Sequence, residues 1–112
     1  MPVLFLRRDR APFAMAGVWD LWRSPEGSEL ATFTIFTTAA NALVQPVHDR
    51  MPAILLPEHE ALWLDSAKHD PQALAGILWP YPAELMESYE VSPAVNSPVH
   101  EGPQLVVPAA AL

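Results

Sequence analysis

The sequence predicts an α+β fold, mainly β, with strands gathered in the first half and short helices in the second. Three features carry that expectation: short apolar runs bounded by turn formers up to residue 56, a Thr-, Ile- and Phe-rich stretch with two-residue alternation, and two proline-led helix starts beyond residue 56.

In chain order, "PVLFLRR" and "PFAMAGVW" are apolar and separated by the polar "DRA", which predicts two strands joined by a tight turn. "RSPEGSE" is dense in turn formers. In "LATFTIFTT", Phe33 and Ile35 alternate with Thr32 and Thr34 before Phe36 breaks the pattern, which predicts a nearly buried third strand ending at Thr37 and Thr38. "AANALVQP" suits one helical turn, and "VHDRMPAILL" leads from a polar corner into a further strand at "AILL". Pro57 with Glu58 and Glu60 behind it starts a short helix through "PEHEALWLD". Asp70 as N-cap and Pro71 at the first position start another, with Leu74, Ile77 and Leu78 on one face. "PAELMESY" reads as a third helical turn, and residues 57–90 as a solvated outer layer. Proline interrupts the remainder so often that only "YEV" and "QLVV" remain as edge strands.

A chain of 112 residues holds one domain, read here as 1–112, and 51% hydrophobic with 17% charged residues is a globular composition. No apolar run reaches the ~20 residues a membrane span needs, and the N-terminus has its apolar part before its basic part, the reverse of a secretory signal. The expectation is a cytoplasmic protein. With no cysteine, disulfides and thiol nucleophiles are excluded from these residues. Net charge is −7, yet Arg7, Arg8, Arg10, Arg23 and Arg50 all lie in residues 1–50, so a local anion site is compatible with an acidic chain.

Asp20, His48 and Asp49 offer the carboxylate and imidazole types that move protons near neutral pH. Spacing alone leaves a second reading open, in which His48 and Asp49 cap a loop and Arg50 makes a surface ion pair. The zinc-protease pattern that His59 and Glu60 suggest fails because Trp63 stands where a second histidine is required, and His48, His59, His69 and His100 have no metal-ligand spacing. No metal and no cofactor are expected. Trp19 and Trp22 flank Asp20 and could stack bases, while Thr37 and Thr38 could meet a phosphate oxygen.

Read together, "FAMAGVWD", "TFTIFTTAAN" and "VHDRMPAIL", followed by "WLD", "YPAELMESYEVSPAVNSP" and "PQLVVP", resemble the C-terminal half of the SOS response-associated peptidase (SRAP) family, which processes abasic sites in DNA. The resemblance covers nearly the whole chain. It implies a mixed, mainly β sheet or open barrel whose N-terminal half is missing here, and binding to single-stranded DNA with covalent capture of the ring-opened abasic aldehyde. It also implies an N-terminal cysteine nucleophile, which this sequence lacks. By the resemblance His48 is the family histidine, Thr37 the strand-end threonine near a DNA phosphate, and Asp20 takes the position of the family glutamate. Thr38, Arg50 and Trp19 join Thr37 as expected DNA contacts. Asp20 is a methylene shorter than glutamate, and a proton-transfer group must reach within ~3 Å of its partner. The expected partners are abasic single-stranded DNA and either a second copy of the chain or a separately encoded N-terminal half. A non-enzymatic domain binding single-stranded DNA or a protein, or a fragment of a longer reading frame, are the alternatives.

Overall fold

A computed structural model describes residues 1–65 and 70–111, so His69 and Lys68 lie outside the described residues. The strands are β1 (Val3–Arg7), β2 (Ala14–Met15), β3 (Gly17–Arg23), β4 (Glu29–Ile35), β5 (Thr37–Ala39), β6 (Arg50–Pro52), β7 (Ile54–Leu55) and β8 (Met86–Glu90), with helices α1 (Glu60–Leu64) and α2 (Pro71–Ala75). They pair as four antiparallel two-stranded ladders, β1–β8, β2–β7, β3–β4 and β5–β6. No closed barrel forms among the described residues.

Three of the ladders radiate from one point. Ala16 N–H donates to Ala53 O (2.8 Å), Ala53 N–H to Phe36 O (2.8 Å), and Phe36 N–H to Ala16 O (2.9 Å), closing a cycle of backbone hydrogen bonds. Each of these residues is where its chain segment leaves one partner and takes the next. Ala16 switches the chain from β7 to β4, Phe36 from β3 to β6, and Ala53 from β5 to β2. Two of the three residues are small and fully enclosed, Ala16 and Ala53 being 0% and 1% exposed, while Phe36 turns its ring outward. Trp63 of α1 fastens the junction, donating its indole N–H to Gly17 O (3.0 Å) and setting its ring edge-on to Phe36 at 5.7 Å.

Several expectations are corrected here. "DRA" joins no hairpin: β1 pairs with the distant β8, Val3 opposite Glu90 and Arg7 opposite Met86. The turn instead holds Arg10 at φ 63°, with Asp9 accepting from Ala11 N–H. The "PFAMAGVW" strand divides at Ala16 and its second part continues to Arg23, forming the hairpin with β4. The strand through "LATFTIFTT" divides at Phe36, and β4 is solvent-exposed at every residue rather than nearly buried. "PAELMESY" supplies one 3-10 turn at Ala83–Leu85 and then β8, which pairs with β1 along all five residues. "QLVV" falls in a 3-10 turn, Pro103–Val106, and the edge pairing there is a single bridge from Val91 to Pro108.

Nor are residues 57–90 an outer layer. Val44, Met51, Ile54, Tyr81 and Met86 form one buried cluster, and Ile77 joins Ala16, Ala53 and Leu55 in the other. The proline-led starts do appear: Pro57–His59 makes a 3-10 turn running into α1, and Asp70 caps α2 by accepting from Gln72 N–H (3.0 Å).

Candidate functional site

The corner at residues 47–52 is built by the turn segment before it. Asn41 organises that segment: its Oδ1 accepts from Leu43 and Val44 N–H (3.1 and 3.0 Å), and its Nδ2 donates to Tyr81 O (2.6 Å). One α-turn then follows another, Gln45 N–H to Asn41 O and His48 N–H to Val44 O, delivering His48 to the entrance of β6. Asn41 did not stand out in the sequence. The Asx-type pattern of an Asn followed by backbone donors at two and three residues was the available signal.

In the β5–β6 ladder Thr37 lies opposite Pro52, Thr38 opposite Met51 and Ala39 opposite Arg50. Directly opposed residues share a face, so Thr37, Ala39 and Arg50 stand on one side and Thr38 on the other with buried Met51. Arg50 reaches diagonally and one of its terminal nitrogens donates to both Thr37 O (2.9 Å) and Thr37 Oγ1 (3.0 Å). The Thr37 hydroxyl therefore accepts from Arg50 and keeps its own proton to donate. The guanidinium has no carboxylate partner among the described residues. Thr38 spends its hydroxyl on Ala39 O (3.0 Å).

His48 Nδ1 accepts from Arg50 N–H at 3.0 Å and also lies 3.2 Å from both Arg50 O and Asp49 Oδ1. One nitrogen cannot serve all three in a single state. The amide can only donate, so the neutral ring has a bare Nδ1 and carries its proton on Nε2. A protonated ring would exchange the Arg50 amide for Asp49 Oδ1 or Arg50 O. Behind His48 and Arg50 opens an apolar cleft of about 330 Å³, lined by Phe5, Phe13, Met51 and Met86 among others.

Asp20 and Trp19 are on the β3–β4 hairpin. Asp20 sits opposite Thr32 and its Oδ1 accepts from Leu21 N–H (2.8 Å). No hydrogen bond or ion pair joins it to His48 among the described residues. Trp19 lies opposite Phe33, on the hairpin face that Asp20 does not occupy. The structure thus joins His48, Arg50 and Thr37 by hydrogen bonds, sets Thr38 on the other face of the ladder, and carries Asp20 and Trp19 on the β3–β4 hairpin. Among the described residues no group of three or more His, Asp or Glu side chains converges, and no helix is long and apolar enough to cross a membrane.

A β-junction scaffold presents an imidazole, a guanidinium and a strand-end threonine at one corner. The family model described as SOS response associated peptidase (SRAP) matches residues 1–98, and the chain belongs to that family. It is 48% identical over 94 residues to the abasic site processing protein YoqW of Bacillus subtilis, covering 84% of this chain and 42% of that protein. With the abasic site processing protein HMCES of Gallus gallus it shares 40% identity over 97 residues, covering 84% of this chain and 28% of the relative. A solved protein from Bacteroides thetaiotaomicron superposes with a TM-score of 0.85 at 32% identity, over 96% of this chain and 48% of that one. The chain therefore spans less than half the length of the relatives it matches.

Proposed function

We propose that this chain supplies the phosphate-holding and proton-moving side of a site that processes abasic lesions in single-stranded DNA. The single observation that supports this most is the Arg50–Thr37 pair beside His48. A guanidinium without a carboxylate partner and a hydroxyl with its proton still to give are donors only toward an incoming anion, as a phosphate oxygen requires. Relatives named abasic site processing proteins, one 48% identical, support the lesion as the substrate class.

In this reading Arg50 and Thr37 fix the DNA backbone, and His48 moves protons at the sugar. Ring-opened abasic sugar is an aldehyde. An amine condenses with it, releasing water, and a neighbouring thiol adds to the resulting imine to close a thiazolidine. The condensation needs a proton delivered to the departing oxygen and one removed from nitrogen, and the ring closure needs one removed from sulfur and one delivered to the imine nitrogen. His48 can do each in turn at Nε2: the imidazolium, its Nδ1–H directed to Arg50 O or Asp49 Oδ1, gives up a proton there, and the neutral ring takes one back. Asp20 is the second carrier when DNA or further polypeptide closes the space between the hairpin and the corner. The nucleophile comes from outside these 112 residues, which contain no cysteine. In this reading Thr38, on the Met51 face, and Trp19, on the hairpin face opposite Asp20, are not assigned to the phosphate contact.

Binding of a labelled single-stranded oligonucleotide, measured against salt and against its duplex, tests the reading. Preference for the single strand, weakening steeply with salt, is the expected result; salt-independent or absent binding overturns it.

A further inference from the structure

The two working groups of the corner stand on different supports. Arg50 and Thr37 belong to the β5–β6 ladder, which fixes them by its register. His48 lies just before that ladder, near the end of segment 40–49, whose base is closed by Ala40 N–H donating to Asp49 O (3.0 Å). Inside the segment the backbone runs in successive turns: Gln45 N–H donates to Asn41 O (2.9 Å), and Val47 and His48 N–H both donate to Val44 O (2.8 and 3.0 Å). What places the imidazole is therefore whatever places Asn41 and Val44.

One side chain does both. Asn41 Oδ1 accepts from Leu43 and Val44 N–H, which fixes the residue whose carbonyl receives His48. Asn41 Nδ2 donates to the distant Tyr81 O (2.6 Å) and lies 3.6 Å from Met86 Sδ, while the Asn41 backbone amide faces Met51 Sδ at 3.4 Å. Tyr81, Met86, Met51 and Val44 belong to one buried cluster, so the Tyr81 bond ties the segment to the core. Moving a part-buried amide that is paired at both ends leaves a donor or an acceptor unsatisfied, which makes its position costly to change. Among the described residues none of the Asn41 side-chain bonds goes to His48, Arg50 or Thr37.

We propose that Asn41 is a positioning residue for His48: tethered to the Tyr81 carbonyl, it registers the imidazole against the body independently of the Arg50–Thr37 pair. This rests on the reading of His48 as the proton carrier. The two tasks of the corner differ in tolerance. Proton transfer requires hydrogen-bond reach, and a shift of ~1 Å costs up to ~100-fold. The attraction of a guanidinium for a phosphate falls only with inverse distance. Losing the tether therefore reaches proton transfer first and leaves phosphate holding in place.

Two variants, each checked for folding by far-ultraviolet circular dichroism, test the proposal. Asn41→Ala removes every side-chain bond, whereas Asn41→Asp keeps an acceptor for Leu43 and Val44 and loses the donor to Tyr81 O. With the ring neutral, nuclear magnetic resonance of the wild-type chain should show scalar coupling across the hydrogen bond from the Arg50 amide to His48 Nδ1, and both variants should lose it. Affinity for a labelled single strand should change by less than about threefold, as for an independent site. In complex with the unmatched portion of Bacillus subtilis YoqW, the maximal rate of adduct formation on abasic single strand should fall about tenfold or more in both variants, at unchanged half-saturating DNA. Coupling and rate retained in Asn41→Asp would overturn the tether, and affinity falling in parallel with rate would reduce Asn41 to a merely structural residue. A wild-type complex that forms no adduct would sink the functional reading; the coupling and affinity measurements then decide this proposal by themselves, and coupling that survives both substitutions overturns it.

Discussion

Replacing Arg50 by alanine separates a DNA contact from a structural one. The change removes two hydrogen bonds, at 2.9 and 3.0 Å, that tie β6 to Thr37 of β5. Arg50 is exposed, and exposed charged contacts contribute only ~0–1 kcal/mol, so the urea midpoint should move little. The effect on DNA is different in kind. One lost phosphate contact lowers the slope of log K against log salt by ~0.7 for a single strand, so the wild-type advantage should shrink about 2.6-fold between ~50 and ~200 mM salt. Arg50→Lys should keep the slope while losing the forked contact to Thr37. Fluorescence anisotropy with a labelled single strand at several salt concentrations measures both. An unchanged slope in Arg50→Ala, or a stability loss above ~2 kcal/mol with lost binding, would show that Arg50 only holds the strands together.

Other outcomes follow from the scaffold. Ala16→Leu forces three carbons into the three-way backbone junction and should cost ~1–3 kcal/mol in urea unfolding; no change would mean that the junction relaxes freely. Asn41→Ala strips the donors and acceptor that shape the turn before His48, for a loss of ~1–3 kcal/mol, and nuclear magnetic resonance should show His48 displaced. The Ala11 amide and then the Arg7 guanidinium hold the Asp9 carboxyl below the usual carboxylate range. Its stabilisation is complete above the unfolded-state value and disappears as pH falls through the lower folded-state value. Asp9→Asn should therefore unfold more readily than wild type at neutral pH and match it in strong acid, and a difference that grows in acid would refute the assignment.

How much of this was legible in the sequence depended on the range of the interaction. Local chemistry was readable: Asp70 before Pro71 capped a helix, and the Thr alternation through residues 32–35 gave a strand. Non-local pairing was not. Nothing in "VLFLR" specifies "MESYE" as its partner rather than the adjacent run, and the helical look of "PAELMESY" came from residues that β1 recruits into a ladder. Burial of β4 was not legible, because apolar composition does not specify a cover and Leu30, Phe33 and Ile35 are all exposed. At the site, His48 and Thr37 were expected only through the resemblance, while the bond from Arg50 to Thr37 required the β5–β6 register. The same register placed Thr38 with the core, and that of β3–β4 set Trp19 and Asp20 on opposite faces.

The central claim is that these residues move protons and hold phosphate for a nucleophile supplied from elsewhere. Covalent capture of a single strand carrying an abasic site, followed on denaturing gels, tests it most directly. The chain alone should give no adduct. Its complex with the unmatched portion of YoqW should give one, and His48→Ala should slow adduct formation on the order of 100-fold, the low end for a lost proton-transfer group. An adduct on the isolated chain, or a complex that reacts equally fast without His48, would contradict the account.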